Sequence, residues 1–294
     1  MKSGFVAILG EANVGKSTLL NAILKEKVSI VSPKPQTTRN KILGIYNDED
    51  CQIVFIDTPG IHKEKNKLDE YMSKAISTAR SDVDVIMYVI DGTKKITEHT
   101  IETLNKYTKG ASVILVVNKI DDTNYAKLYP ELTKCNNLEN IKDIVPVSAK
   151  KSKNLDELIK VIKTYLKEDI KYFDDDVYTD VSIKFLVAEI IREKALWLLQ
   201  DELPHGIAIE IARFNEDAPI VEIDADIILE KASHKPIVIG KNGSMLKEIG
   251  SRARNDIERL LDKQVMLKLF VKVREDWRNS SSSIKSLGYN SGDL

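Results

Sequence analysis

Apolar and polar positions alternate in two different ways along the chain, and the change of pattern divides it. The first part interleaves short β-branched runs with helical periodicities. The runs Phe5–Leu9, Ile42–Tyr46, Gln52–Ile56, Val85–Ile90, Ser112–Val117 and Asp143–Val147 predict strands. Between them, Lys16–Leu24, Asp69–Ser81, Thr97–Tyr107, Tyr125–Lys134 and Asn154–Leu166 predict helices. This order argues for an α/β domain with a mostly parallel sheet and helices on both faces. Only Asn47–Cys51 separates the second and third runs, a hairpin length, so one antiparallel pair is expected at an edge. The alternation stops at Tyr172-Phe173-Asp174-Asp175-Asp176, which reads as a linker. After it come a helix over Ile183–Leu199, with Val187, Ile190, Ile191, Ala195 and Leu198 on one face, and strands of strict period two. Ile207, Ile209 and Ile211 share one side of the first strand, and Val221, Ile223, Ala225 and Ile227 one side of the second. A helix near Ser244–Leu261 and a strand Val265–Val273 complete a smaller α+β domain, expected to have one wet sheet face and helices on one side only. The boundaries expected are 1–173, an acidic linker 174–181, 182–279, and a polar, loosely held tail 280–294 beginning at Ser280–Ser283.

A length of 294 residues suits two domains with sizeable cores. Charged residues make up 30% and the net charge is −1, so the whole chain carries no polyanion signature. Its distribution is uneven. Residues 178–231 hold 5 Lys/Arg against 12 Asp/Glu, whereas 232–278 hold 11 against 6. Charge segregated within one domain suggests a face made for a polyanion. No apolar run approaches the ~18 residues of a spanning helix, and Phe5–Leu9 is too short for a signal peptide. The two cysteines, Cys51 and Cys135, show no CxxC spacing and read as reduced thiols of a cytosolic protein.

Gly10-Glu11-Ala12-Asn13-Val14-Gly15-Lys16-Ser17, followed by Thr18, lies between the first strand and the first helix. Backbone amides and the positive end of that helix converge there on an anion. Lys16 suits the β- and γ-phosphates of a nucleoside triphosphate, and the Ser17 hydroxyl suits Mg²⁺. Asp57-Thr58-Pro59-Gly60 follows at the carboxyl end of a strand, where Asp57 can hold Mg²⁺ through water and the Gly60 amide can contact the γ-phosphate. Asn118-Lys119-Ile120-Asp121 follows another strand. Asp121 can accept from guanine N1–H and its 2-amino group, which adenine does not offer, and an unpaired carboxylate would penalise adenine by several kcal/mol. Asn118 is expected to read the base edge and fix neighbouring loops, with the Lys119 stem on the ring face. The Ser148-Ala149-Lys150 amides suit the guanine O6.

These residues resemble the five motifs of the GTPase superfamily across about residues 1–170. The resemblance implies GTP and GDP as ligands, Mg²⁺ as cofactor, and a first switch at Val31–Arg39 in which Thr38, rather than Thr37, closes on the metal. Small GTPases commonly follow the equivalent of Gly60 with a Gln that orients water; here Ile61 and His62 stand instead. An aliphatic side chain cannot hold water, so charge must be stabilised elsewhere. Asn13 and Thr37-Thr38-Arg39 resemble GTPases that use K⁺, which makes Asn13 a K⁺ ligand and Lys16, Thr38, Gly60 and Asn13 the catalytic candidates. His62 is a weaker candidate for general base and reads more simply as a solvated loop histidine.

In the second domain, Gly240-Lys241-Asn242-Gly243 follows Ile237-Val238-Ile239 and opens a helix, which resembles the KH module of single-stranded RNA binding. Leu246, Ile249, Ala253, Ile257 and Leu260 form that helix's apolar stripe, and Lys247, Arg252, Arg254 and Arg259 flank it. Lys247, Arg252 and Arg254 join the Gly240–Gly243 loop as candidate RNA contacts. Periodicity makes Pro236–Ile239 a strand, but the resemblance makes it the short helix that precedes the glycine loop of a type II KH module; Pro236 is tolerable in a first helical turn, and the helix is the expectation adopted. The combination resembles the bacterial ribosome-assembly GTPases that carry a C-terminal KH domain, with support from Glu202-Leu203-Pro204 and Leu287-Gly288-Tyr289. Departures are Glu11-Ala12, where Arg-Pro is common, and Lys150, where Leu is frequent. The family implies binding near the 3′ end of 16S rRNA, maturation of the 30S subunit, no DNA partner, a monomer, and a cytoplasmic location with peripheral inner-membrane association. The alternatives are a GTPase switch in RNA modification, without a visible nucleophile, and a membrane or cell-cycle switch, without a visible anchor.

Overall fold

The computed structural model describes residues 1–294 except 136, 137, 169, 201, 202, 291, 293 and 294. Glu202, part of the family resemblance, lies outside the described residues. A large sheet is built from β1 (Lys2–Leu9), β2 (Ile42–Asn47), β3 (Cys51–Asp57), β4 (Val85–Asp91), β5 (Val113–Asn118) and β6 (Ile141–Pro146), in the order β2-β3-β1-β4-β5-β6. All pairs are parallel except β2–β3, the expected edge hairpin. A two-residue strand, β7 (Lys167–Glu168), which the pattern does not show, adds antiparallel to the start of β1. Helices α1 (Lys16–Leu24) and α5 (Leu155–Tyr165) cover one face. On the other lie α2 (Lys67–Ala79), α3 (Glu98–Thr108) and α4 (Tyr125–Leu132). The central strands β3 and β4 are buried on both faces, as a sheet covered on both sides requires.

The second sheet is three-stranded, β10-β9-β8, from β8 (Ala208–Asn215), β9 (Val221–Leu229) and β10 (Val265–Val273), with β8–β9 antiparallel and β9–β10 parallel. Its inner face packs on α6 (Ile183–Leu198), α7 (Lys235–Ile239) and α8 (Ser244–Leu261). The period-two reading of Pro236–Ile239 is therefore overturned. Five residues flanked by the positive-φ Gly240 close as a helical turn, and Pro236 sits in the first turn, where its missing N–H costs nothing. The stripe of α8 also needs one correction: Ile249, Ala253 and Ile257 are buried, but Leu260 is 38% exposed and Leu261 packs on the core in its place.

Two further expectations fail for one reason. The outer face of the small sheet is not wholly wet, and the tail as far as Tyr289 is not loosely held. Trp277, followed by α9 (Ser281–Ser286) with Ile284, and then Tyr289 form an apolar cluster with Leu68, Tyr71 and Met72 of α2 and with Ala208 and Ile228 from that outer face. Period-two counting assigns Ala208 and Ile228 to solvent; the helix that covers them belongs to the other sheet. The Trp277 indole donates to the Gly206 carbonyl at 3.0 Å, and its ring stacks on Tyr289 at 6.2 Å. The segment that joins the sheets also lies along the free edge of β2: Ile45 N–H donates to the Tyr178 carbonyl at 2.9 Å, and the Thr179 hydroxyl to the Leu43 carbonyl at 2.7 Å. That covers an edge strand which would otherwise offer unpaired amides.

Trp277→Ala is expected to lower stability by about 3–5 kcal/mol, since it removes the largest fully buried side chain and strands the Gly206 carbonyl. Urea unfolding followed by far-ultraviolet circular dichroism measures it; a loss below about 1 kcal/mol would show that the tail cluster contributes little.

Candidate functional site

Parallel pairing sends the loops after β1, β3, β4 and β5 to the same edge of the large sheet, and there the candidate residues meet. The loop from Gly10 to Lys16 turns back over the end of β1. Gly15 has φ +95°, and a Cβ there would stand 2.4 Å from the Asn118 amide nitrogen, so no side chain fits. Lys16 is buried and folds back, donating to the carbonyls of Gly10 at 3.0 Å and Glu11 at 2.9 Å. Those are bonds a phosphate oxygen would replace. Burial pushes the Lys16 ammonium down to about 8, partly opposed by the negative charges of Asp57 and Glu11.

Beside it, four oxygens gather. The Ser17 hydroxyl donates to Asp57 Oδ2 at 2.7 Å and lies 2.8 Å from the Thr38 hydroxyl, and Ser29 donates to the same carboxylate oxygen at 3.0 Å. Asp57 is fully buried, its other oxygen has no partner among the described residues, and desolvation holds its carboxyl above the usual range. A buried carboxylate oxygen without a donor, beside two hydroxyls, is a hard-oxygen set that fits Mg²⁺. Thr37 faces away: its hydroxyl donates to the Lys34 carbonyl at 2.6 Å. Thr58 is tied to β1, its hydroxyl donating to the Ile8 carbonyl at 2.7 Å. Ile61 N–H donates to the Gly10 carbonyl at 3.0 Å, which brings Gly60 against the phosphate loop.

Asn118 braces the base end. Its amide donates to the Val14 carbonyl at 3.0 Å, and its oxygen accepts from Lys119 N–H at 2.8 Å and Ala149 N–H at 3.0 Å. At 2% exposure its side chain spends itself on three loops, so of the two roles expected of it the structure displays the bracing one. Lys119, in the left-handed region at φ +67°, reaches to the Asn13 carbonyl at 2.8 Å and to Asp91 at 2.7 Å. Asp121 is exposed at the rim, where the Ser148 hydroxyl donates to it at 2.6 Å and holds its carboxyl below the usual range. The Asn13 amide nitrogen donates to the Pro33 carbonyl at 3.0 Å, joining phosphate loop and first switch.

His62 is not a solvated loop residue. One ring nitrogen lies 2.7 Å from the Gly60 carbonyl and the other 3.1 Å from Asp69, and the bond to Asp69 raises its pKa despite partial burial. With one ring nitrogen at the Gly60 carbonyl and the other at Asp69, both are engaged within the protein, which speaks against a general base. Asp69 also accepts from Gln36 at 2.8 Å, which ties the first switch to the start of α2. Sequence reasoning missed Asp69, Gln36, Ser29 and Asp91; the contacts Gln36–Asp69, Ser29–Asp57 and Lys119–Asp91 that bring them to the site join separate elements, and no motif marks them.

In the smaller domain, Gly240 and Gly243 have φ +76° and +78°, and a Cβ on Gly240 would meet the Met245 amide at 2.7 Å. The turn they make starts α8 beside a groove of about 440 Å³ lined by Gly243, Leu246, Lys247, Arg254, Leu267 and Leu269 among others. Lys247 and Arg254 thus stand at one apolar-floored groove with edge strand β10. Arg252 lies on another side of α8, paired with Glu248 at 2.7 Å. Lys241 and Asn242 are exposed on the loop. Among the described residues no cluster of His, Cys, Asp and Glu suits a metal, and no helix is long and apolar enough to cross a membrane.

Fold and site define a phosphate-loop GTPase module joined to a KH-type module. The chain matches the family described as 50S ribosome-binding GTPase over residues 5–119, and the KH domain family over residues 202–278. It is 52% identical over 295 residues to GTPase Era of Clostridioides difficile (strain 630), covering 98% of this chain and 99% of the relative. With GTPase Era of Clostridium tetani (strain Massachusetts / E88) it shares 48% over 291 residues. The chain belongs to the Era family of GTPases. Its fold is similar to the crystal structure of Era in complex with MgGDPNP and nucleotides 1506–1542 of 16S ribosomal RNA, at a TM-score of 0.95 and 42% identity, over 98% of this chain and 99% of that one. An Aquifex aeolicus Era variant bound to GDP·AlF4⁻ gives a TM-score of 0.95 at 41% identity with the same coverage.

The depressed Lys16 predicts a pH dependence of nucleotide binding. Phosphates need the ammonium form, and the free site loses it as pH rises through about 8. Affinity is expected to fall above that pH, and binding at pH 8 to take up roughly half a proton. Calorimetry in two buffers of different ionisation heat measures the uptake; identical heats would refute it.

Proposed function

We propose that the chain is a GTP-hydrolysing switch that binds 16S rRNA near its 3′ end through the KH groove and acts in small-subunit assembly. The observation that carries this reading is the likeness of nearly the whole chain to an Era crystallised with both MgGDPNP and that RNA segment. Residues 1–173 would serve as the switch and 182–279 as the RNA reader, joined through 174–181 and backed by 280–294. Lys16 would exchange the Gly10 and Glu11 carbonyls for β- and γ-phosphate oxygens. Ser17 and Thr38 would ligate Mg²⁺ directly and Asp57 through water. When bound, Mg²⁺ would neutralise charge developing on the transferred phosphoryl group. Asp121 would select guanine. Lys247 and Arg254 would meet RNA phosphates beside the Gly240–Gly243 backbone.

Hydrolysis needs a charge stabiliser that neither Ile61 nor the engaged His62 supplies. Asn13 suits a K⁺ role: its amide nitrogen is held by the Pro33 carbonyl, which reserves the oxygen as a cation donor. Two buried thiols, Cys51 and Cys135, agree with a cytoplasmic site of action.

Anisotropy of a labelled RNA carrying the 16S 3′ end tests the RNA role. Joint Gly240→Asp and Gly243→Asp substitution is expected to weaken binding roughly tenfold to a hundredfold, by strain at positive φ and repulsion of phosphate. Unchanged affinity would leave the RNA role without support. Turnover is expected to be faster in K⁺ than in Na⁺, and Asn13→Ala to erase the difference; equal rates in the parent chain would remove the K⁺ role.

A further inference from the structure

The first switch is held between two groups of contacts, and adjacent residues face opposite ways. Thr38 directs its hydroxyl to Ser17 at 2.8 Å, at the proposed metal site. Arg39 leaves the large sheet's domain altogether. Its Nη1 donates to the Ile207 carbonyl at 2.7 Å and to the Tyr289 hydroxyl at 3.2 Å, and its Nη2 donates to the His205 carbonyl at 3.0 Å. The rings of Trp277 and Tyr289 lie 5.8 and 6.0 Å from the guanidinium carbon. Arg39 is 1% exposed, and among the described residues no carboxylate lies within ion-pair distance of it. Desolvating a cation among carbonyls, a hydroxyl and ring faces is costly, and such a site is selective for the planar fork of arginine. On the other side of Thr38, the Thr37 carbonyl accepts from Arg192, whose guanidinium is fixed in turn by Glu189 at 2.7 Å. Both neighbours of Thr38 are therefore held by the carboxyl half of the chain. Planar peptide units leave the residue between them little freedom.

We propose that Arg39 is a positioning residue for GTP hydrolysis: its socket in the carboxyl half, with Tyr289 as one wall, fixes the Thr38 hydroxyl and so sets how much Mg²⁺ the triphosphate-bound site requires. The proposal rests on the nucleotide reading of the site given above. Arg39 itself spends its hydrogen bonds on Ile207, His205 and Tyr289, away from Lys16, Ser17 and Asp57. The groups that would hold a diphosphate and its base, Lys16, the loop amides and Asp121, make no bond to the socket. Damage to the socket should therefore separate GTP from GDP.

The test uses the full chain and measures binding as well as turnover. Affinity for a fluorescent, non-hydrolysable GTP analogue and the rate of GTP turnover are followed across a Mg²⁺ series, with GDP affinity and the thermal midpoint alongside. Arg39→Lys keeps the charge in the same channel but loses the fork; Tyr289→Ala opens the socket far from the nucleotide. Each is expected to raise the Mg²⁺ concentration for half-maximal analogue binding roughly fivefold to tenfold, with GDP affinity within about twofold of the parent. Tyr289→Phe keeps the ring and is expected to restore most of the parent behaviour. If Tyr289→Ala does not fold, Arg39→Lys alone decides. An unmoved Mg²⁺ requirement overturns the proposal, and so does a parallel loss of GDP affinity, which marks a merely structural site. A parent chain that binds no guanine nucleotide would overturn the site reading itself, before any variant is compared.

Discussion

Parallel pairing of β1, β3, β4 and β5 is the constraint on which the nucleotide site depends. Strands running the same way must deliver their following loops to one edge, and registers such as Ile8 opposite Asp57 and Asp91 opposite Asn118 set the depth at which each loop departs. One fully engaged amide, Asn118, then locks the phosphate loop, the base-reading loop and the last strand's loop to each other. Because it is buried, its three bonds are not exchanged for water, and the loops share a common position. Lys16 and Asp57 sit behind that framework as a cation and an anion, each short of solvent. Their perturbed protonation follows from a cavity shaped for charges it does not itself contain.

The two sheets are not beads on a string. Helix α6 is buried on two sides: Val187, Ile190 and Ile191 pack in the smaller core, while Glu189, Arg192 and Glu193 are buried as polar residues. Glu193 accepts from Val31 N–H at 2.9 Å, and exposed Trp197 donates to the Val31 carbonyl at 2.9 Å. The bonds across this part of the contact are polar, and such bonds can be traded for water at modest net cost. The apolar part of the contact is confined to the Trp277–Tyr289 cluster on α2. Arg39 of the first switch, helix α2 and the tail thus share one neighbourhood.

Much of the site was legible because its chemistry is carried by short contiguous motifs. Gly10–Ser17, Asp57–Gly60, Asn118–Asp121 and Ser148–Lys150 each contain both the functional atom and the backbone that presents it, so order along the chain is enough to find them. His62 was misread because its neighbours in sequence, Ile61 and Lys63, say nothing of Asp69. The tail was misread because a serine run is polar on average, although Trp277, Ile284 and Tyr289 around it each find an apolar partner across the domain boundary. Pro236–Ile239 shows the limit of periodicity: over four residues, alternation and a helical turn cannot be told apart, and the flanking glycine decides.

The sequence by itself determined the two sheets, the phosphate loop, the carboxylate suited to guanine and the glycine turn beside a basic helix, because each is written in local spacing or in one motif. Only the tertiary structure decided that Arg39 belongs to the other half, which carbonyl of the phosphate loop the Asn118 amide holds, and that the tail is part of a core. The physical reason is that these contacts join residues more than 100 positions apart, and a pairing fixed by packing leaves no period in the chain to read.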